Sequence, residues 1–141
     1  MAWIKCQNKK KIESKLVLVD IVSFPDLNID MQNCSSVVIR SDGFYGHTAG
    51  DGCKGWVKTG NFDTKNYKTI VVKCINNSWG TSVPEVYLYV NGLKNSDING
   101  TQSVTVDLAG RTEMNLTLQF SGNGTNDAWM DASIQSIEFI P

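Results

Sequence analysis

The sequence predicts an all-β protein, an antiparallel β-sandwich of the jelly-roll class. Three segments indicate this most clearly, because β-branched and aromatic residues alternate with polar ones in Tyr67–Cys74, Val86–Val90 and Ser103–Leu108. A period of two residues lets a strand bury one face and leave the other in water. No long window has apolar residues at the i, i+3, i+4 and i+7 positions of an amphipathic helix, so we expect almost no helix.

The first part of the chain contributes further predicted strands. Ala2–Gln7 has strand character, and Lys15–Val22 is a nearly continuous apolar run that predicts a strand buried on both faces, with a short helix as the alternative. Ser35–Arg40 predicts the next strand. Ser41–Gly60 contains several glycines with aromatic residues between them, which predicts a long loop with a short strand at Gly55–Lys58.

The second part alternates more regularly. Asn91-Gly92 predicts a tight turn, since both residues tolerate a positive φ, and polar loops are expected at Asn76–Pro84 and Lys94–Thr101. Met114–Phe120 predicts a strand with its four apolar side chains inward. Trp129–Ile140 predicts the closing strand, and a β-bulge is expected near Gln135-Ser136 because Ile134 and Ile137 differ in parity. Together these make about ten short strands, as in sandwiches.

Composition limits the function. The 141 residues fit one domain over 1–141, and a formal net charge of −1 with 19% charged residues offers no electrostatic footprint for nucleic acid or an anionic membrane. No apolar run reaches the roughly 20 residues of a membrane span. The N-terminus turns polar too soon for a signal peptide, so we expect assembly in a cytoplasm.

The four cysteines argue against a structural metal site. No two are spaced as Cys-x-x-Cys, and the chain has one histidine, so zinc is not expected. Free, buried thiols are expected in a reducing compartment. A Cys34–Cys53 bridge is the alternative if the protein reaches the outside of cells.

A series of segments in the second part resembles galactose-binding-like jelly rolls, the fold of many carbohydrate-binding modules. Such modules often enter a central strand through hydrophobic-Asp-x-x-x-Tyr-Lys-x-hydrophobic, which here is Phe62 to Ile70. They continue with a strand ending in Asn-Gly, a Val-x-Val-Asp-Leu strand, a Leu-x-Leu-x-Phe strand and a closing strand after an aromatic residue. The corresponding segments here are Val90-Asn91-Gly92, Val104–Leu108, Leu116–Phe120 and Trp129 with Ile134–Ile140. The resemblance covers residues 35–140, whereas residues 1–30 do not match and are expected to be N-terminal strands or an assembly arm.

The resemblance implies a polysaccharide ligand held by aromatic rings and amides in the predicted loops. Pyranose C–H groups stack on aromatic faces, and amide or carboxylate groups bind the hydroxyls. The alternative is that the rings pack the core, which is the expected role of Trp129. The predicted ligand-binding residues are Tyr45, His47, Trp56, Asn77 and Trp79.

A structural calcium ion is the one cofactor that such modules would imply, and Asp127 and Asp131 are the candidate ligands, although no EF-hand spacing is present. No cofactor is otherwise expected. His47 has no Gly-x-Ser-x-Gly segment or reactive cysteine setting with it, so no catalytic residue is predicted. Paired carboxylates for glycoside hydrolysis remain open, which leaves a small hydrolase as a remote alternative.

These observations predict a non-catalytic, carbohydrate-binding-like structural module of a phage or prophage particle. Similar modules occur in phage tail, fibre and decoration proteins, which implies other virion proteins and bacterial surface or cell-wall polysaccharide as partners, and a place in the virion. A bacterial sugar-binding module or lectin is the alternative. A homo-oligomer is expected because Glu85, Tyr87 and Tyr89 form an aromatic strand face and Leu16–Val22 adds apolar surface. The alternative is that both complete the protein's own sandwich.

Overall fold

The structure is a computed structural model that describes residues 11–32, 36–40, 42–49, 54–80, 83, 85–121 and 127–141, without the side chains at 36–38, 47–49, 121, 127 and 128. These residues form fourteen strands. In chain order they are β1 (Lys15–Leu18), β2 (Asn28–Gln32), β3 (Ser36–Ile39), β4 (Gly43–Ala49), β5 (Lys54–Lys58), β6 (Phe62–Asp63), β7 (Thr69–Asn76), β8 (Trp79–Gly80), β9 (Glu85–Val90), β10 (Leu93–Asp97), β11 (Gly100–Asp107), β12 (Glu113–Met114), β13 (Leu116–Ser121) and β14 (Asp127–Ile140).

The strands form two antiparallel sheets that face each other. The seven-stranded sheet has the order β11-β7-β14-β4-β3, with β1 and β8 also paired to β14, and the five-stranded sheet has the order β10-β9-β13-β5-β2. A small sheet of β6 and β12 lies outside both. From β4 onward the chain repeatedly crosses between the two sheets, as in a jelly roll. The predicted all-β antiparallel sandwich is confirmed, and the described residues include no helix.

The core consists of the inward faces of both sheets. Alternate residues of β7 and β9 are buried, and in the last third of the chain the four predicted side chains, Met114, Leu116, Leu118 and Phe120, are buried as expected. Phe44 of the seven-stranded sheet meets Phe120 of the five-stranded sheet edge-to-face, with ring centroids 4.9 Å apart. Such a contact adds to the burial of two large apolar side chains.

Two local predictions are confirmed by the backbone. Asn91 and Gly92 have φ of 50° and 79° between β9 and β10, so this turn needs residues that accept the left-handed region. The register of β14 against β7 shifts between Ile134 and Ser136, which is the expected β-bulge. The bulge turns Ile134 and Ile137 to the same buried side.

Three predicted loops are partly strand. The glycine-rich segment expected to be a loop contains the seven-residue β4, the segment after the Asn-Gly turn contains β10, and Trp79-Gly80 forms β8. The first residue of β4 has to be a glycine, because a Cβ at Gly43 would lie 2.0 Å from the carbonyl oxygen of Ala132 in β14. Glycine therefore permits a close approach of two strands. The strand β2 was not predicted: Ile29 and Met31 alternate with polar residues and are half-buried, but Asn28 and Asp30 are residue types that strands disfavour.

The apolar run Lys15–Val22 is not a strand buried on both faces. Its strand part is β1, which pairs with β14, and Val19 just after it is buried, but Leu16 and Leu18 are exposed. The chain then turns, because the Asp20 carboxylate accepts hydrogen bonds from the backbone of Val22 and Ser23. Only one face of this strand can pack on the sandwich, which is why the prediction fails for half of its side chains.

Several predictions fall on residues outside the described ranges. These include the strand Ala2–Gln7 and the cysteines Cys6, Cys34 and Cys53. Cys74 is described: it is free, buried in β7, and its burial raises the pKa of the thiol to about 12. No helix in the described part of the chain is long and apolar enough to cross a membrane.

Candidate functional site

The seven-stranded sheet carries a group of aromatic side chains where β4, β14 and β8 meet. In the register of these strands Tyr45 lies opposite Asp131, and Trp129 lies opposite both His47 and Trp79. Residues two apart on one strand point to the same face, so Trp129 and Asp131 share a face of β14. The register therefore gathers three rings from three strands. We call Tyr45, Trp79 and Trp129 the aromatic surface.

The three rings are adjacent and open to water. The Trp79 and Trp129 rings are 6.1 Å apart between centroids and nearly parallel, at 17°, and the Tyr45 ring is 6.1 Å from that of Trp129 at 50°. Their exposed fractions are 65% for Trp79, 47% for Tyr45 and 37% for Trp129. Core aromatics of this protein differ sharply, since Phe44 is 1% exposed. The aromatic surface is therefore available for contacts with another molecule.

An ion pair borders the aromatic surface. The Arg40 guanidinium lies 3.1 Å from the Asp131 carboxylate, and the same guanidinium stacks over the Tyr45 ring at 4.7 Å from its centroid. Both side chains are partly exposed, so the pair adds little to folding stability. Its main effect is to fix the Tyr45 ring and to place charged hydrogen-bonding groups next to an aromatic face.

Backbone contacts hold the short strand β8 against β14. The Asn77 N–H donates to the Asp131 carbonyl at 2.8 Å, and the Asp131 N–H donates to the Ser78 hydroxyl at 3.0 Å. The Ser78 N–H in turn donates to the Asn76 side-chain oxygen at 3.2 Å. These bonds explain why a polar segment runs along the sheet here, and they fix the position of Trp79.

The aromatic surface forms one wall of a shallow cavity of about 260 Å³. Besides the three rings, the residues that line it are Asn77, Met130 and Asp131. A site of this kind combines apolar ring faces with a few polar groups that fix orientation. It has room for a small polar ring stacked on an aromatic face.

The structure brings together three of the five predicted ligand-binding residues, Tyr45, Asn77 and Trp79. Trp56 is not near them: it lies in β5 of the five-stranded sheet, and its ring N–H donates to the Asn28 side-chain oxygen at 2.7 Å. The sequence placed Trp56 in the same loop as Tyr45, but that loop contains β4 and β5, which belong to different sheets. His47 lies on β4 opposite Trp129, and its side chain is outside the described part.

Sequence reasoning missed two members of the site. Trp129 was expected in the core, yet its ring lies at the surface between Tyr45 and Trp79. Arg40 was not singled out at all. The predicted β-bulge is the signal that could have identified Trp129. After the bulge the odd-numbered residues Ile137 and Phe139 face the core, but before it the even-numbered residues do, so Trp129 faces outward.

The calcium prediction concerned Asp127 and Asp131. The Asp131 carboxylate forms an ion pair with the Arg40 guanidinium. The Asp127 side chain is outside the described part of the chain. The residues that the structure describes contain no group of three or more His, Cys, Asp or Glu side chains that could hold a metal ion.

No protein-family model matches the chain, and no curated protein matches it. Solved structures that resemble it include several carbohydrate-binding modules and part of a GH31 α-xylosidase from Xanthomonas citri. A low-affinity xylan-binding module, CBM86, from Roseburia intestinalis is 10% identical over 89% of this chain and 93% of its own, with a TM-score of 0.46. A family 35 module from Clostridium thermocellum is 11% identical over 87% and 97%, at 0.46. A CBM36 domain of a xylanase from the hindgut metagenome of Trinervitermes trinervoides is 12% identical over 92% and 98%, at 0.42. Likenesses at these scores carry no argument about this chain's function.

Proposed function

We propose that this protein is a non-catalytic carbohydrate-binding module and that the aromatic surface is where it binds polysaccharide. The observation that carries the proposal is the exposure of Tyr45, Trp79 and Trp129 side by side on one sheet. Three large rings that stay exposed in one patch do not contribute the free energy that their burial in the core would give. A ligand that covers the rings explains the arrangement.

A sugar suits this patch better than an apolar ligand does. The rings supply faces for C–H groups, while Arg40, Asp131 and Asn77 supply donors and acceptors for hydroxyls within the same cavity or at its border. The cavity is open and shallow, which favours one or two units of a chain over an enclosed small molecule. Binding alone requires no catalytic group, and we propose no enzymatic activity.

The sequence resemblance also predicts that the protein belongs to a phage or prophage particle and is assembled in the host cytoplasm. This stays a prediction, separate from the proposed sugar binding. Neither the geometry of the site nor the solved structures bear on it. Detection of the chain in purified virions would support it, and its absence from virions together with sugar binding would favour the bacterial sugar-binding module or lectin.

Binding to a panel of soluble polysaccharides tests the proposed function. The panel contains xylan, mixed-linkage β-glucan, laminarin, pectin and bacterial capsular or cell-wall polysaccharide, measured by affinity electrophoresis and calorimetry. We expect at least one to bind, and Trp79→Ala to weaken that binding by about 1–3 kcal/mol, or roughly 5- to 150-fold. Leu93→Ala is the matched control, because Leu93 is a large apolar residue of similar exposure, 72% against 65%, but lies on β10 of the other sheet.

Two results would overturn the proposal. The first is that no polysaccharide of the panel binds. The second is that Trp79→Ala and Leu93→Ala bind alike while both stay folded. Release of reducing ends from a bound polysaccharide would instead support the remote hydrolase alternative.

A further inference from the structure

The outer face of the five-stranded sheet carries aromatic side chains on both sides of β13. Alternate residues of β5, β9 and β13 are buried between the sheets, so the residues between them point outward. In the strand register, Gln119 of β13 lies opposite Tyr87 of β9 on one side and opposite Trp56 of β5 on the other. Thr117, two residues before Gln119, lies opposite Tyr89 of β9. None of these residues belongs to the aromatic surface, which faces outward from the other sheet.

These rows give the face the shape of a shallow groove along β13. The floor consists of the polar side chains of β13, whereas the strands on either side of it carry the larger aromatic rings. Paired strands are about 4.8 Å apart, so the backbones of β9 and β5 are about 9.6 Å apart. The six residues of β13 extend over about 17 Å, which suits a chain-like ligand. We call the groove formed by Trp56, Tyr87, Tyr89, Thr117 and Gln119 the β13 groove.

Neighbouring side chains hold both aromatic walls of the β13 groove in place. The Trp56 ring N–H donates to the Asn28 side-chain oxygen at 2.7 Å. The Tyr87 hydroxyl donates to the Glu85 carboxylate, and the Lys94 ammonium lies 3.6 Å from the centroid of the Tyr87 ring. Rings that are already oriented lose little conformational entropy when a ligand stacks on them, so these walls are prepared for binding.

The floor of the groove, in contrast, has unused hydrogen-bonding groups. Gln119 is half-buried between the two walls. In the part of the chain that the structure describes, neither its amide nor the Thr117 hydroxyl forms a hydrogen bond with another residue. The amide therefore offers two N–H donors and a carbonyl acceptor at the bottom of the groove. Amides that are removed from bulk water usually have partners, and a ligand in the groove would supply them.

The charges around the groove balance. In the described part of the chain, the strands that carry or flank its walls have six charged side chains, three of each sign: Lys54, Lys58, Lys94, Asp30, Glu85 and Asp97. The floor itself is uncharged. An acidic polymer would bury its carboxylates here without a net positive charge to receive them, which is costly. The face therefore suits a polymer that has hydroxyl groups and no charge.

We propose that the β13 groove is a second polysaccharide-binding site, and that it takes an uncharged chain lying along β13. The walls present ring faces to sugar C–H groups, and the Gln119 amide bonds to hydroxyls. This inference rests on the proposed function for the class of ligand, but it uses none of the residues of the aromatic surface. Because the two sites face outward from opposite sheets, the same sugar units cannot fill both.

Nuclear magnetic resonance of the Trp79→Ala variant tests the proposal, because this change weakens the aromatic surface and leaves the groove intact. The probes are xylohexaose, cellohexaose and laminarihexaose, with hexagalacturonate as the acidic comparison. The indole N–H signal of Trp56, assigned with Trp56→Phe, reports binding in the groove. In the same background Gln119→Ala removes the amide of the floor. Gln135→Ala is the matched control, because Gln135 is also half-buried but lies at the bulge of β14 in the other sheet.

We expect at least one neutral hexasaccharide to bind Trp79→Ala and to shift the Trp56 signal. Adding Gln119→Ala should weaken this binding about 3- to 10-fold, because the change removes hydrogen bonds to uncharged hydroxyls. Adding Gln135→Ala should leave the binding unchanged. Hexagalacturonate should bind Trp79→Ala more weakly than the best neutral probe does. Thermal unfolding verifies that every variant folds.

The outcomes separate the groove from the aromatic surface. If the original protein binds a probe but Trp79→Ala binds none, or binds it without a shift of the Trp56 signal, the groove is overturned and the proposed function stands. Equal affinities of the Gln119→Ala and Gln135→Ala variants also overturn the groove. Tighter binding of hexagalacturonate overturns the assignment to uncharged chains. Failure of the original protein to bind any probe or any polysaccharide overturns both proposals.

A second copy of the protein is the competing occupant of this face. Light scattering of the original protein and of Tyr89→Lys distinguishes the two. A monomer in both cases supports the groove as a ligand site. A dimer that Tyr89→Lys dissociates would assign the face to an interface between copies and overturn the proposal.

Discussion

Replacing Gly43 by alanine tests the strand register on which the candidate site depends. Gly43 lies opposite Ser133 at the start of β4, in the same ladder that sets Tyr45 opposite Asp131. A Cβ at Gly43 would be 2.0 Å from the Ala132 carbonyl oxygen and 2.7 Å from the Ser133 Cα. Both are backbone atoms of a central strand, so the clash cannot be relieved by a side-chain rotation. The strand β4 must move away from β14.

The cost follows from what that movement breaks. The Asp42 carbonyl accepts a hydrogen bond from the Ile134 N–H of β14 at 3.1 Å, and this bond is worth about 1 kcal/mol net. Displacing the neighbouring Phe44 ring from Phe120 adds roughly 0.5–1.5 kcal/mol. With about 1 kcal/mol of residual strain, the free energy of unfolding should fall by about 2.5–3.5 kcal/mol.

Urea unfolding followed by tryptophan fluorescence measures this change, and Gly92→Ala is the matched control. A Cβ at Gly92 meets nothing within 4 Å, but its φ of +79° makes any side chain cost about 1–2 kcal/mol. The reasoning is refuted if Gly43→Ala destabilises the protein less than Gly92→Ala. In that case β4 and β14 are not in this register, and Tyr45 and Trp129 need not share a surface.

Three further results are expected. Burial raises the pKa of Cys74 from 9.0 to about 12, so above pH 9 the unfolded chain loses this proton while the folded protein keeps it. The free energy of unfolding should therefore fall with pH, relative to that of Cys74→Ala, by up to about 1.4 kcal/mol per pH unit. Urea titrations at pH 8–11 measure this, and parallel pH dependences of the two proteins would contradict it. Thr64→Val should cost about 1–2 kcal/mol in thermal unfolding, since the buried hydroxyl donates to the Arg111 carbonyl at 2.6 Å, and a neutral change would be the opposite result. We also predict that the protein self-associates through the exposed Leu16 and Leu18. The molar mass from light scattering should fall to that of a monomer in the double variant Leu16→Lys with Leu18→Lys. An original protein that is already monomeric would rule this out.

Strands whose residues alternate can be predicted from the sequence, whereas strands whose residue types depend on contact with another strand cannot. β9 and β13 each bury alternate side chains, so their period of two is visible in the residues themselves. β4 is hidden because it contains Gly43, required by the close approach of β14, and Gly46, and so has few of the β-branched residues that a strand prediction needs. β2 is hidden because only Ile29 and Met31 carry its alternation, between Asn28 and Asp30, which are residue types that strands disfavour; its place is set by pairing with β5.

The same reason explains the outcome at the candidate site. Tyr45, Asn77 and Trp79 are predicted as binding residues because they are aromatic or amide residues in predicted loops, and the structure places all three around one cavity. Trp56 looked identical in sequence, but the chain crosses to the other sheet between Tyr45 and Trp56. The partnership of Arg40 with Asp131 joins residues far apart in the chain, and no local pattern encodes such a pair.

The long strand β14 also determines when this protein can fold. Its first half pairs with β4 and β8, its second half with β1, and both halves pair with β7. Lys15 lies opposite Phe139, so two segments that are very far apart in the sequence meet on this one strand. Hairpins such as β9–β10 can form early, but closing the seven-stranded sheet requires joining segments of very high sequence separation, which is slow. During synthesis the edges of β1, β4 and β7 that face β14 therefore stay unpaired until β14 is made, and unpaired strand edges are where aggregation begins.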